Sequence, residues 1–240
     1  QGTTYTQGGT YTRTLTNAAG CDSTATLSLT INQPSSGSSS AGSIACNGGT
    51  TTVTVSATGG TAPYTGTGTF TVTAGTYSYT VTDANGCSST TSVTVTQPSA
   101  VVATYSATPI LCYGQSSTVT ISATGGTAPY TGIGPMTQFV GTMVYTVTDA
   151  NGCQGTVSVT LTQPVKVEGT ATSTPATCAG NDGTATVAPT GGTGTYTYSW
   201  SNGPTTQSIS SLVPGTYTVV ITDGNGCTGS ASTTVTSGGS

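Results

Sequence analysis

The sequence predicts an all-β chain of tandem modules, and three observations support this fold class. First, the segment from Cys46 to Pro98 recurs almost unchanged from Cys112 to Pro164, 66 residues later. A fixed period of this kind indicates an array of similar modules. Second, polar and apolar residues alternate in segments such as 92–96 and 145–148, as they do in half-buried strands. Third, no segment of useful length shows the apolar period of a helix.

Gln-Pro pairs end each period, at Pro34, Pro98 and Pro164. Because proline cannot donate a ladder hydrogen bond in a central strand, it suits a module boundary. The predicted domains are 1–34, 35–98, 99–164 and 165–240, the last with an 8-residue insertion. Residues 1–34 align only with the second half of a module, Cys21 matching Cys87. We therefore expect the chain to begin inside a domain.

Each complete module is expected to hold about six or seven short strands, as in a small immunoglobulin-like sandwich. In the second module the alternation predicts strands at 43–46, 50–57, 63–73, 76–83 and 87–96. Gly59-Gly60, Ala74-Gly75 and Asn85-Gly86 mark the turns. The modules are expected to form an elongated array. Its flexible linker is predicted at 35–40, a Ser/Gly-rich segment.

Composition excludes several function classes. Only 3% of the residues are charged, the net charge is −4 and no His is present. With Arg13 and Lys166 as its only cations, the chain has no basic patch for nucleic acid. It also lacks an apolar run of about 20 residues that could span a membrane. The few carboxylates sit mostly in turns of separate modules, so we expect no enzyme and no cofactor. Without an initiator Met or signal peptide, the chain is expected to be a processed fragment.

The seven cysteines allow two regular pairings. They lie at Cys21, Cys46, Cys87, Cys112, Cys153, Cys178 and Cys227. The first pairing is within modules: Cys46–Cys87, Cys112–Cys153 and Cys178–Cys227, with the partner of Cys21 outside the chain. The second is across junctions: Cys21–Cys46, Cys87–Cys112 and Cys153–Cys178, with Cys227 left over. Either pairing requires an oxidising compartment and thus export. The spacings do not match a zinc site.

Three turns carry a candidate cation ligand: Asp83, Asp149 and Asp223, each followed by X-Asn-Gly. Calcium prefers six to eight oxygen ligands, and one carboxylate per turn falls short of that number. Asn-Gly between strands is typical of a hairpin turn, and Asp caps such a turn with its side chain. We therefore predict a structural role for these residues and no bound metal.

Two further sets of residues are candidate sites. Tyr196, Tyr198 and Trp200 alternate and therefore share one face of a strand. Exposed, they would form an aromatic platform for sugar; buried, they would form the core, and we favour the core. Ser23, in Asp22-Ser23-Thr24, is a candidate for O-glycosylation, the competing interpretation being a plain strand start.

The modules resemble the SprB-type repeat of secreted Bacteroidota surface proteins, which include gliding-motility adhesins. The matching segments are 178–187, 191–192, 196–203, 212–217 and 222–227. The resemblance covers 35–240, although the second and third modules lack the Tyr-Ser-Trp segment. It implies type IX export, surface display in tandem arrays and a structural or adhesive role. It also implies that both cysteines of a pair belong to one repeat, and so favours the first pairing.

We therefore predict a structural repeat region of an extracellular surface filament or adhesin, acting as a stalk or fibre for attachment or gliding. The alternative is a carbohydrate- or surface-binding module in residues 165–240. Near-identity of the second and third modules favours the stalk, because spacers tolerate duplication. The expected partners are other copies of the chain or the rest of a long polypeptide, and a surface polysaccharide in the alternative.

Overall fold

A computed structural model describes residues 3–31, 35–178 and 180–238 of the chain. Within these ranges every regular element is a strand, which confirms the all-β prediction. The chain divides into two compact units, Gln1–Ala100 and Val101–Ser240. The predicted boundary at Pro34 falls outside the described residues, whereas those at Pro98 and Pro164 fall in segments without strands.

The first unit begins with a two-stranded hairpin. Strands β1 (Gly9–Thr16) and β2 (Asp22–Leu29) pair antiparallel, from Gly9 opposite Leu29 to Thr16 opposite Asp22. Almost every residue of both strands is exposed. The apolar residues Leu15 and Leu27 are 47% and 49% exposed. Polar and apolar residues therefore alternate in the hairpin as they do in a half-buried sheet, but its apolar side chains are exposed.

The rest of the first unit is a small sandwich of two sheets. Its strands are β3 (Ser36–Ala41), β4 (Thr51–Thr58), β5 (Gly68–Val72), β6 (Gly75–Thr82) and β7 (Ser88–Val95). One sheet has the order β3-β4-β5 and the other pairs β6 with β7. The buried residues between them are Ile44, Val53, Val55, Val81 and Val95. Alternation in β4 places Val53 and Val55 inside and the intervening Thr54 outside.

The predicted linker at 35–40 is wrong, because most of it forms strand β3. Hydroxyl groups replace apolar contacts there: Ser38 Oγ bonds Ser56 Oγ at 2.8 Å, and Ser39 Oγ bonds Thr91 Oγ1 at 2.9 Å. At Gly37 the backbone of β3 passes close to Val81 in the opposite sheet. A Cβ at this position would lie 2.8 Å from a methyl carbon of Val81, so a glycine is needed there. The Ser/Gly-rich composition of this segment therefore predicts a linker, although the segment is a strand whose side chains contact other polar side chains.

The other strand predictions for this module are partly confirmed, and the module has five strands where six or seven were expected. Three predicted segments agree with β4, β6 and β7 within one residue at each end. The predicted strand at 43–46 is a loop, although Ile44 in it reaches the core. The predicted strand at 63–73 shortens to β5, since residues 59–66 form turns and one isolated bridge, Thr65 to Thr82.

The second unit begins with a similar five-stranded sandwich. Its strands are β8 (Val102–Ala107), β9 (Ser117–Thr124), β10 (Gly134–Gln138), β11 (Gly141–Thr148) and β12 (Gln154–Leu161). The sheets are β10-β9-β8 and β11-β12. The core contains Val119, Ile121, Tyr145, Val147 and Val159. The near-identical sequences therefore give the same arrangement of strands as in the first unit.

The last module has six strands and the largest core. Its strands are β13 (Glu168–Thr174), β14 (Gly183–Thr190), β15 (Thr197–Trp200), β16 (Ser208–Leu212), β17 (Gly215–Thr222) and β18 (Thr228–Val235). The sheets are β13-β14-β16 and β15-β17-β18, so the third strand crosses to the opposite sheet. Strand β15 replaces the isolated bridge that Thr131 and Thr148 form in the preceding module. The 8-residue insertion thus allows a third strand to form.

A tyrosine hydrogen bond marks the start of one strand in several modules. The hydroxyl of Tyr217 donates to the backbone oxygen of Val213 at 3.0 Å, and Tyr77 does the same to Thr73 at 3.1 Å. Tyr11 repeats the bond to Gln7 at 2.7 Å. A tyrosine that bonds to backbone just upstream of this strand is a hallmark of immunoglobulin-like sandwiches. The immunoglobulin-like prediction is thereby confirmed at the level of local structure.

Candidate functional site

The Asp-X-Asn-Gly-Cys turns form the most elaborate polar structure of each module. Asp223 follows β17 and lies at the start of the turn that leads to β18. Its Oδ1 accepts backbone N–H bonds from Asn225 at 2.9 Å and Cys227 at 2.8 Å. Its Oδ2 accepts the N–H of Thr193 at 2.8 Å. One carboxylate thus joins its own turn to the Gly-Gly-Thr turn.

The Gly-Gly-Thr turn must be glycine-rich to approach this carboxylate. Gly192 has a φ of 66°, and a Cβ there would lie 2.7 Å from Asp223 Oδ2. Tyr196 holds the same turn from the other side, because its hydroxyl donates to the backbone oxygen of Gly191. Tyr64 makes the equivalent bond to Gly59 at 2.6 Å. These tyrosines are therefore structural anchors of the turn.

The network recurs in the other complete modules. Asp83 Oδ2 accepts from Thr61 N at 3.0 Å, and Asp149 Oδ2 accepts from Thr127 N at 2.8 Å. The N–H of Thr61, assisted by those of Cys87 and Asn85, lowers the pKa of Asp83 below its ordinary value. For Asp149 and Asp223, burial opposes ionisation, but their backbone N–H bonds outweigh it, and both pKa values are lowered.

This geometry supports the turn interpretation of Asp83, Asp149 and Asp223 over calcium. Both oxygens of each carboxylate are already used as hydrogen-bond acceptors inside the module. Among the described residues, no group of three or more His, Cys, Asp or Glu side chains is placed to share a metal ion. The equivalent position of the first hairpin is Asn17, whose Oδ1 accepts from Ala19 N and Cys21 N. A neutral amide therefore performs the same turn-capping role there.

The cysteine pairing differs from both predicted schemes. Cys112 bonds Cys227, with 5.5 Å between their Cα atoms and a sequence separation of 115 residues. Cys21, Cys87 and Cys178 are free thiols. The pairings Cys46–Cys87, Cys112–Cys153 and Cys178–Cys227 are therefore wrong. The alternatives Cys21–Cys46, Cys87–Cys112 and Cys153–Cys178 are wrong as well.

The strand order gives the physical reason. Gly114, beside Cys112, donates its N–H to Gln163 Oε1 at 2.8 Å, just beyond the end of β12. Cys153 lies immediately before the start of β12. An eight-residue strand spans about 26 Å, whereas a disulfide needs Cα atoms within about 7 Å. The two cysteines of a module therefore lie at opposite ends and cannot bond to each other.

The bonded pair instead joins consecutive modules. Cys112 lies at the end of the third module that leads into the fourth, and Cys227 lies in the Asp223 turn of the fourth. Leu111 O lies 3.4 Å from Asn225 Nδ2, which donates to it, and 3.2 Å from Cys227 Sγ. The nearby crevice of about 300 Å³ is also lined by Tyr113 and Pro164. The turn that carries Asp223 therefore forms part of a module junction.

Gln163 and Gln97 supply a junction feature that sequence reasoning missed. The Oε1 of Gln97 accepts from Gly48 N at 2.8 Å, matching the bond of Gln163 to Gly114. The signal was present in the sequence as the repeated Gln-Pro pair. The pair predicts a boundary, and the structure shows in addition that its glutamine fixes the loop that follows the first cysteine of the module.

The aromatic face of β15 is part of the core. Trp200 is 2% exposed, and its indole N–H donates to the backbone oxygen of Thr206 at 2.9 Å. Tyr196 and Tyr198 are half-buried and pack against the same core. The packing role favoured for these three residues therefore agrees with their burial, and the aromatic platform for sugar does not. Ser23 is exposed on β2, and its Oγ donates to the backbone oxygen of Leu15 at 3.2 Å; glycosylation there stays a prediction.

Comparison with known proteins supports the resemblance drawn from the sequence. The SprB repeat family matches residues 104–131 and 170–205, so the third and fourth modules each contain a segment similar to this repeat. No curated protein matches it. No helix in the described part of the chain is long and apolar enough to cross a membrane.

Solved structures with similarity to the chain include two arrays of immunoglobulin domains. The first, from work on Dscam isoform specificity, is 13% identical with a TM-score of 0.29, covering 95% of this chain and 80% of that one. The second contains the N-terminal eight Ig domains of a DSCAM isoform. It is 12% identical with a TM-score of 0.24, over 91% of this chain and 39% of that one.

Proposed function

We propose that this chain is a structural repeat region of a surface filament or adhesin and acts as a stalk or fibre for attachment or gliding. The covalent bond between Cys112 and Cys227 is the observation that carries the proposal, because it joins one module to the next. A binding site gains nothing from such a bond, whereas a spacer gains a fixed junction. Type IX export and a non-enzymatic role belong to the same proposal.

The aromatic residues of β15 give no support to a carbohydrate-binding function. Trp200 and its neighbours would have to leave the core before a sugar could stack on them, and Trp200 is buried. The core around Trp200 differs between the modules, whereas the network of the Asp turns is common to the complete modules. The feature that the modules share therefore has a structural role.

Antibodies and glycan arrays test the proposal together. Antibodies against the whole chain should label intact cells of the source organism without permeabilisation. The disulfide-intact chain should show no saturable binding on a glycan array. Labelling that requires permeabilised cells would refute surface display. Saturable glycan binding would favour the adhesive alternative instead.

The expected partner is a second sheet that covers the β1–β2 hairpin, supplied by the same polypeptide or by another copy. In the complete module of the first unit, β3 packs beside β7, and Gly37 N donates to Ser89 Oγ at 2.8 Å. Ser23 is the counterpart of Ser89 in β2, and Leu27 is the counterpart of the half-buried Val93. The hairpin therefore presents the face on which a β3-like strand packs.

Sedimentation velocity of the whole chain tests this partner. If copies cover the hairpin, Leu27→Lys should reduce concentration-dependent association. Thr26→Lys, on the opposite face of β2, is the matched control and should not. Equal sedimentation of both variants and the unaltered chain would exclude association through this hairpin.

A further inference from the structure

The Cys112–Cys227 bond defines how one module is joined to the next. Cys112 lies in the loop after the first strand of its module, and Cys227 lies in the turn between the last two strands of the following module. A cysteine in the first position is called here a loop cysteine, and one in the second position a turn cysteine. The junction bond therefore combines the loop cysteine of one module with the turn cysteine of the module after it.

Three cysteines of the described chain are free thiols: Cys21, Cys87 and Cys178. Cys178 is a loop cysteine, because it lies between β13 and β14. Cys21 and Cys87 are turn cysteines, between β1 and β2 and between β6 and β7. Cys46 and Cys153 are disulfide-bonded. The free thiols thus include both halves of a junction bond.

The loop of Cys178 is anchored on both sides of the cysteine. Ala176 is buried, and its N–H donates to the backbone oxygen of Thr236 at 2.9 Å. Asp182 Oδ1 accepts the N–H of Thr177 at 2.6 Å. Cys178 itself is exposed. Its thiol is therefore held at the surface by a loop whose backbone is fixed to the module.

The turn of Cys21 has the backbone hydrogen bonds of the bonded turn. Asn17 Oδ1 accepts the N–H of Cys21 at 3.0 Å, as Asp223 Oδ1 accepts that of Cys227 at 2.8 Å. The N–H of Asn17 and that of Asp223 each donate back to the oxygen of the cysteine at 3.0 Å. Cys21 is exposed. The hairpin therefore presents an accessible turn cysteine in the local structure that Cys227 has at its junction.

We infer that Cys178 of one copy of the chain and Cys21 of a second copy form a disulfide that joins the copies head to tail. The β1–β2 hairpin of the second copy then follows the fourth module of the first. This order, loop cysteine first and turn cysteine next, is that of Cys112 and Cys227. The two contact surfaces differ, so the contact is heterologous and, where its rotation does not close a ring, gives an open fibre.

Cys87 does not fit this pairing as well as Cys21 does. By the order of the junction bond, Cys87 takes a loop cysteine from the module directly before its own. The β1–β2 hairpin of the same chain holds that place. Cys87 is also only partly exposed. Cys21 is therefore the turn cysteine assigned to Cys178.

A small-molecule disulfide such as oxidised glutathione is the oxidant for this bond. The thiolate of one cysteine attacks it, forms a mixed disulfide and releases one glutathione thiol. The thiolate of the other cysteine then attacks the protein sulfur of the mixed disulfide and releases the second glutathione. The two cysteines lose two electrons and two protons, and the small disulfide gains them as two thiols.

The use of this bond in a fibre rests on the stalk function proposed above, and the two ideas fail separately. Surface labelling of intact cells tests the stalk. Disulfide formation between purified chains tests the bond.

Two complementary variants of the full chain test the pairing. Cys21→Ser keeps the thiol of Cys178, and Cys178→Ser keeps that of Cys21. With oxidised glutathione under native conditions, each variant alone should stay a monomer on a non-reducing gel after remaining thiols are blocked with iodoacetamide. An equal mixture should give a dimer that dithiothreitol reverses, and peptide mapping should recover Cys21 linked to Cys178. The unaltered chain should give a ladder of longer species.

Cys87→Ser is the matched control and should give the same ladder as the unaltered chain. Oxidation in urea, where thiols meet at random, should join each complementary variant to itself, which shows that the oxidant acts on it. Under native conditions, a dimer of either variant alone would overturn the inference. Monomers in the native mixture, or a Cys21–Cys178 bond within a single chain, would overturn it too.

Discussion

Asp83 Oδ2 accepts the backbone N–H of Thr61 at 3.0 Å, across 22 residues of sequence. Asp223 makes the same bond to Thr193 at 2.8 Å, across 30 residues, because the insertion lies between them. The network therefore survives the largest change in module length. It fixes two turns to each other at one end of every complete module.

Acid should destabilise the modules through these carboxylates. The pKa values of Asp83, Asp149 and Asp223 are lowered in the folded chain. Their stabilisation is therefore complete above the unfolded value of about 3.9 and is lost as pH falls through the lower folded values. We expect Tm to be nearly constant from pH 7 to about pH 5 and to fall below about pH 4.

Calorimetry between pH 7 and pH 2.5 measures this dependence. Asp223→Asn should lower Tm at pH 7, because an amide nitrogen cannot accept one of the N–H bonds, and should flatten the acid response of the fourth module. Asp22→Asn, which changes an exposed carboxylate, is the control. A Tm that stays constant down to pH 2.5 would contradict the assigned role.

Trp200 should contribute more to stability than any exposed aromatic residue. Replacing it by Ala leaves a cavity and an unpaired backbone oxygen at Thr206, so we expect a loss of about 3–5 kcal/mol in the fourth module. Phe139, which is 60% exposed, is the control, and Phe139→Ala should change stability by about 0.5 kcal/mol or less. Calorimetry of the whole chain should show one transition shifted by the Trp200 change. Equal effects of both variants would argue against a packed Trp200.

Strand positions were predictable where apolar residues alternate, and not where polar residues face polar partners. The alternation of Val53 and Val55 with threonine predicts β4. The serines of β3 give no such alternation, and their composition is that of a linker. The Asp turns were predictable because Asn-Gly restricts the backbone locally. The bond of Cys112 to Cys227 was not, since it depends on which end of a module each cysteine occupies. That position follows from strand order, which local patterns do not encode.

The free thiols should react with an alkylating reagent in the native chain. Cys21 and Cys178 are exposed, and Cys87 is partly exposed. Iodoacetamide without reductant should label these three positions and leave Cys112 and Cys227 unlabelled. Peptide mapping after non-reducing digestion should recover Cys112 linked to Cys227. Recovery of Cys178 linked to Cys227 would restore the pairing within modules, against the strand order described above.

Met143 occupies the position where other modules have the tyrosine that bonds to upstream backbone. It is the counterpart of Tyr77, 66 residues later, and is 49% exposed. The third module uses a different device, in which Tyr145 donates to Gln138 Oε1 at 3.0 Å and Gln138 Nε2 donates to Val159 O at 3.2 Å. Met143→Tyr should add the missing bond, to the backbone oxygen of Phe139, and stabilise the module by about 0.5–1 kcal/mol.

The reciprocal change is Tyr217→Phe, which removes the bond to Val213 and should cost about 1 kcal/mol in the fourth module. Met143→Phe is the control for the added ring without its hydroxyl. Calorimetry of the whole chain should show the gain for Met143→Tyr only. Equal Tm values for Met143→Tyr and Met143→Phe would mean that Gln138 already performs the role of the tyrosine and leaves no backbone acceptor in reach.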